Sequence, residues 1–145
     1  MKNSPPLGSE FSQLDPATYV ADRELIRALD AHSTPVPCKS ERVLFRQDEP
    51  TVGVFIVYKG AVTLSMMSQD GHSLLAAQAR PGSLLGLPGV ISNQPYAISA
   101  SAGAGAKVSF VSCDDLNALM QADPALSVKI LDTLAAEIHN TRKAP

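Results

Sequence analysis

From Arg42 to Val111, short runs rich in Val, Ile, Phe and Leu alternate with turns built on Gly and Asp. That texture predicts an all-β region. β-Branched and aromatic side chains pack on a pleated surface, and Gly or Asp adopt the backbone angles of tight turns. Val54–Tyr58 reads as one strand and Val62–Met66 as its neighbour. Asp70-Gly71, lying between Met67 and Leu74, is a hairpin signal, because both central positions of the favoured turn need positive φ. Many short strands at this spacing predict a closed jelly-roll barrel over about residues 40–112.

Helical signals flank that stretch. Asp15-Pro16 offers a capping side chain followed by Pro at the first helical position, and Tyr19, Val20, Leu25, Ile26 and Leu29 follow at near-helical spacing. This N-terminal helix must stop before Ser33-Thr34-Pro35, since Pro35 and Pro37 cannot continue it. Beyond the strands, Asp114-Asp115 places acid at a helix start, and Asp123-Pro124 repeats the cap-then-Pro signal. A long C-terminal helix is expected from Pro124 to about Arg142, so that helices fill residues 113–142. Ser101–Ala106, a run of Ser, Ala and Gly, is too small to pack and reads as a flexible turn between barrel strands.

The chain has 145 residues, enough for one domain with a real core. Residues 1–12, rich in Ser, Pro and Gly, read as a disordered tail and residues 13–145 as a single domain. Net charge is −2, and the twelve Lys and Arg are scattered, so no basic stripe marks a nucleic-acid surface. No apolar run approaches the ~18 residues that span a bilayer. The first ten residues carry one Lys and no apolar core, unlike a secretory signal. A cytoplasmic location is expected, with Cys38 and Cys113 both reduced.

Several pieces in order resemble one known family. Arg42-Val43-Leu44-Phe45-Arg46 resembles its opening strand, and Phe55 to Val62, through Lys59-Gly60, its strand ending in a Gly turn. Pro81-Gly82-Ser83-Leu84-Leu85-Gly86 resembles the entry to its phosphate-binding cassette, and the pattern then runs without a gap from Pro95 to Leu116. The chain thus resembles the cyclic nucleotide-binding domain of Crp/Fnr-type regulators, over roughly Glu41 to Arg142. The resemblance implies a mainly β fold with flanking α-helices, a jelly-roll (double-stranded β-helix) barrel with an N-terminal helix and a long C-terminal one. It implies no DNA-binding helix-turn-helix, which would follow where this sequence stops. Glu41 and Asp48 stand where the family has Gly, so those turns are expected to differ.

The same resemblance makes Gly86–Ala97 the candidate ligand-binding cassette, comprising Gly86, Leu87, Pro88, Gly89, Tyr96 and Ala97. In the family a Glu holds the ribose 2′-hydroxyl and an Arg pairs with the cyclic phosphate. Here Leu87 stands at the Glu position and Tyr96 at the Arg position. Pro88 also removes a backbone N–H from the turn facing the phosphate. The expectation is a degenerate cassette in a non-enzymatic regulatory or sensor domain that no longer binds cyclic AMP or cyclic GMP. Leu85, Leu87, Tyr96 and Ile98 then either line an altered pocket for an apolar or aromatic ligand or simply fill the old one as core, and the core reading is favoured. One alternative is genuine binding of a cyclic nucleotide or other small molecule, with Arg46, Lys59 or Arg80 supplying the charge. A second is a metal enzyme of the cupin type. That needs closely spaced His, whereas His32, His72 and His139 are spread along the chain, so neither a metal site nor a cofactor is expected.

Cys113 precedes Asp114 at a helix start, and the neighbouring acids oppose thiolate formation, so it reads as inert. The C-terminal helix carries two apolar rows. Val128, Leu131, Ala135 and Ile138 form a coiled-coil-like seam, and Leu126, Ile130 and Leu134 form a second row. One row can dock on the barrel. The first is assigned to a homodimer contact, as the resemblance also implies, alongside an unidentified small-molecule or protein partner and with neither nucleic acid nor membrane expected.

Overall fold

The computed structural model describes residues 22–143, with side chains described for 22–135 apart from Leu75. The expected tail at 1–12, the Asp15-Pro16 helix start and the Ile138 side chain lie outside the described residues. The strand-rich stretch forms eight strands in two four-stranded antiparallel sheets. The first sheet has the order β1 (Thr34–Val36), β8 (Lys107–Ser112), β3 (Gly53–Lys59), β6 (Leu84–Leu85). The second has β2 (Arg42–Phe45), β7 (Ser99–Ala102), β4 (Val62–Met67), β5 (Ser73–Ala79). Four helices accompany them among the described residues: α1 (Arg23–Asp30), α2 (Leu87–Ser92), α3 (Cys113–Ala122) and α4 (Pro124–Lys143). This is the jelly-roll barrel with flanking helices that the pattern predicts.

β3 shows how the sequence builds two cores at once. Successive strand side chains point to opposite faces. Phe55 and Val57 enter the barrel interior with Phe45, Val62, Leu64, Leu85 and Tyr96. Val54 and Ile56 face the helices and pack with Leu25, Leu29, Leu87, Leu116, Leu126 and Ile130. Both faces of β3 are covered, which explains its unbroken apolar run. Each fully buried large side chain contributes about 1.5–3 kcal/mol.

The helices end where their caps dictate. α1 begins at Arg23 because Asp22 has extended backbone angles and its carboxylate accepts from the Glu24 N–H at 2.6 Å. Of the helix expected from Asp15, the described part is Arg23–Asp30, with Asp22 as its cap. The Ser112 hydroxyl caps α3 by accepting from the Asp115 N–H, and Asp123 caps α4 by accepting from Ala125 and Leu126. Lys129 on α4 reaches Asp22 at 3.3 Å and Glu24 at 3.4 Å, tying the last helix to the first.

Three local expectations are revised. The stop at Thr34-Pro35 is also a strand, which Pro35 joins because β1 is an edge strand paired only with β8. The Asp70-Gly71 hairpin forms, but through a longer loop. Ser68 donates its N–H to His72 O, Gly71 donates to Ser68 O, and only Gly71 takes positive φ. Ser101–Ala106 does hold the turn between β7 and β8, at Gly103–Gly105, but Ser101 and Ala102 belong to strand β7, and Ala102 and Ala106, like Ala100, are buried barrel core. Their smallness fits the site: Ala100 sits opposite Phe45 and Leu64, and Ala102 opposite Val62, so large partners take the volume. Asp48 takes the left-handed region with φ of 72°, which Asp tolerates better than most residues.

Candidate functional site

Gly86–Ala97 contains no charged residue. The segment forms α2, entered through Gly86 at φ 90° and left through Asn93 at φ 57°. Gly86 is needed twice over. Its φ favours Gly, and a Cβ there would lie 2.7 Å from the Tyr96 ring. Gly89 is similarly confined, with Thr51 Cγ2 2.8 Å and Gln94 O 2.9 Å from a built Cβ. The cassette is thus seated tightly on the β2–β3 connection. Asp48 donates to Tyr96 O at 2.8 Å and Tyr96 donates to Glu49 O at 3.0 Å, pinning its far end there too.

Tyr96 points into the barrel and is 2% exposed. Its ring stacks on Phe45 with centroids 4.1 Å apart and planes 22° apart. Its hydroxyl donates to Gly53 O at 2.8 Å and accepts from Val52 N at 3.1 Å and Gly53 N at 3.3 Å. Donor and both acceptor sites are therefore used, which is what a buried phenol requires. Burial raises the Tyr96 pKa above its ordinary value, so the hydroxyl stays neutral. Gly at position 53 is required by β8, since a Cβ there would meet Val111 O at 2.2 Å and the Phe110 ring at 2.6 Å.

The structure brings together only part of the predicted set. Leu85 and Tyr96 are in the barrel interior and Ile98 packs against it. Leu87 is fully buried in the other core, against the helices. Pro88 and Ala97 are exposed. Arg46, Lys59 and Arg80 are all exposed, and Arg46 stands 4.0 Å from Glu49. No cation takes up the role of the family's Arg from inside the barrel among the described core residues. Sequence reasoning missed the partners of Tyr96. The available signal was Gly53 at the head of an otherwise apolar strand, which marks a close backbone approach.

The other candidates are plainer. Cys113 and Cys38 are free thiols. Burial, then Asp114, pushes the Cys113 thiol up, away from a reactive thiolate. His32 and His72 are exposed, and no cluster of His, Cys, Asp or Glu suited to a metal ion occurs among the described residues. On α4, Leu126 and Ile130 are buried and Leu134 packs on the helix-side core. Val128 and Leu131 remain 57% and 56% exposed, and Ala135 is exposed. No described helix is long and apolar enough to cross a membrane.

Comparison with solved structures finds the same fold repeatedly. The catabolite activator protein of Thermus thermophilus superposes with a TM-score of 0.73 at 18% identity, covering 88% of this chain and 60% of that one. The N-terminal domain of a transcriptional regulator from Streptomyces coelicolor A3(2) gives 0.66 at 23% identity, covering 91% and 92%. The c-di-GMP responsive global regulator CLP of Xanthomonas campestris gives 0.66 at 19% identity, covering 84% and 62%. The chain spans about three-fifths of the length of the activator and of CLP. No curated protein sequence matches it. The family profile described as the cyclic nucleotide-binding domain matches residues 35–123, more than half of the chain. By that match and by its fold, the chain belongs to the cyclic nucleotide-binding domain family.

Proposed function

We propose that this domain is a non-enzymatic regulatory or sensor module whose cassette no longer binds cyclic AMP or cyclic GMP. The observation that carries the reading is Tyr96: its ring is stacked on Phe45 inside the barrel and its hydroxyl is held by Gly53. A cyclic nucleotide needs a cation for its phosphate and an acceptor for its ribose hydroxyl. Tyr96 offers neither a charge nor a free acceptor, and Leu87 is committed to the helix-side core. Hydrogen bonds to charged groups contribute roughly 1.5–3 kcal/mol each. Losing two of them weakens binding by a factor of ~10² to 10⁴. The module instead answers to a different small molecule or to a protein partner.

Self-association through α4 belongs to the same proposal, with Val128, Leu131, Ala135 and Ile138 as the contact. Support comes from the exposure of Val128 and Leu131 while Leu126 and Ile130 are buried. A two-fold pairing of helices would cover that row with one self-complementary surface. The setting proposed is cytoplasmic. Isothermal calorimetry with cyclic AMP and cyclic GMP tests the main reading. No saturable heat is expected, and a dissociation constant of about 10 μM or tighter, equivalent to roughly −7 kcal/mol, contradicts it.

A further inference from the structure

We infer that the seam between β1 and β2 is a binding site for a small aromatic carboxylate, lined by none of the residues of the cassette. The inference rests on the sensor reading above and supplies the ligand class that reading leaves open. Each of these strands is the outer edge of its sheet, β1 of the first and β2 of the second. Between them lies a cavity of about 290 Å³. That is near the lower end of the ~300–1,000 Å³ range of ligand pockets, so its occupant is small.

The walls are apolar and the floor is aromatic. Phe55 and Phe110 line the cavity, with ring centroids 5.0 Å apart and planes tilted by 49°. A third ring can add to such a pair edge-to-face or offset, the arrangements aromatic quadrupoles favour. Val43 and Val52 stand at the cavity with 44% and 58% of their surfaces exposed, although both are large apolar residues. The strand itself is modified at this point. β2 shifts register against β7 between Val43 and Phe45, and Val43 and Leu44 both line the cavity. Regular alternation would turn adjacent side chains to opposite faces, and a bulge is the ordinary means of re-aiming one.

Only one lining residue is charged, and it fixes the sign of the ligand. Arg42 lines the cavity, and its guanidinium donates to Pro37 O, on the opposite wall, at 3.1 Å. One N–H of the five is used there, and the remaining fork is geometrically suited to a carboxylate. No carboxylate lines the cavity to neutralise it. Aromatic floor, aliphatic rim and a single oriented guanidinium together specify an aromatic ring bearing one carboxylate.

Phenylacetate is the probe, with phenylacetamide as its neutral counterpart, followed by methyl-resolved NMR of the full chain. Saturable shifts are expected at the methyls of Val36, Val43 and Val52, with phenylacetamide binding roughly tenfold more weakly for want of the charge-assisted bond. Arg42→Gln should bring phenylacetate down to the level of the amide and leave the amide unchanged. Arg42→Lys, which keeps the charge, should recover part of the difference. Shifts at these methyls that stay linear across the titration, or phenylacetate binding unaltered in Arg42→Gln, would overturn the inference. Cyclic AMP is titrated in parallel: saturable shifts at the methyls of Leu87 and Ala97 contradict the cassette reading, while their absence together with linear valine shifts sinks the carboxylate site alone.

Discussion

The barrel interior holds aromatic rings among small residues, whereas the core beneath the helices is built largely of leucines with Val54, Ile56, Val111 and Ile130. The two cassette positions on which the proposed loss of binding rests went one to each. Tyr96 entered the barrel, where a buried phenol survives because Gly53 and Val52 satisfy its hydroxyl. Leu87 entered the helix-side core, where nothing polar is needed. One substitution is thus held by directional bonds and the other by shape alone. Restoring the family's charges would therefore meet two different obstacles.

The most disruptive test of that contrast is the double variant Leu87→Glu with Tyr96→Arg, which rebuilds the family's charged pair. Both side chains would start buried, Leu87 among apolar groups and Tyr96 with only the backbone of Val52 and Gly53 as polar neighbours, and unpaired buried ions cost several kcal/mol each. The variant is expected to be unfolded or strongly destabilised in urea denaturation. A stable variant that binds cyclic AMP would mean that Leu87 leaves the helix-side core easily and that the backbone cradle persists despite Pro88.

A smaller effect isolates the directional half. Tyr96→Phe keeps the stacking on Phe45 but removes the hydroxyl that links Gly53 and Val52. A loss of about 1–3 kcal/mol is expected, the cost of leaving buried groups without a partner. An unchanged unfolding midpoint would show that the ring alone seats the cassette, making Tyr96 no different in kind from Leu87.

The smallest effect on folding is expected on α4, at the outer face of the helix-side core. Leu131 is 56% exposed, so Leu131→Glu should change stability by no more than ~0.5 kcal/mol. In light scattering the wild type is expected as a dimer at ~100 μM and the variant as a monomer. A wild-type monomer removes the proposed assembly. A variant that loses several kcal/mol would instead place Leu131 in the core.

Much of this architecture is legible in the residues. Val54–Tyr58 and Val62–Met66 announce strands through β-branched runs, and Asp123-Pro124 marks the start of α4 by its chemistry. The two rows of α4 separate by spacing alone, and Leu126 and Ile130 are the buried ones. What stayed hidden depends on neighbours distant in sequence. Ala100 and Ala102 look too small to pack until Phe45, Leu64 and Val62 are placed opposite them. Thr34–Val36, with Pro35 inside it and Pro37 after it, does not read as a strand until its edge position is known. For the cassette, the missing charges are visible in Leu87 and Tyr96, but not that these side chains part company into separate cores. Leu87 opens α2, whereas Tyr96 lies in the loop beyond that helix and is pinned to Asp48 and Glu49, and the partner of the Tyr96 hydroxyl lies 43 residues away in Gly53.

A crystal structure of the wild-type chain grown with millimolar cyclic AMP tests the central claim most directly. The account predicts Tyr96 inside the barrel, stacked on Phe45 with its hydroxyl on Gly53 O, and no nucleotide beside Gly86–Ala97. Nucleotide density in that place, with Tyr96 swung out of the barrel, would contradict it.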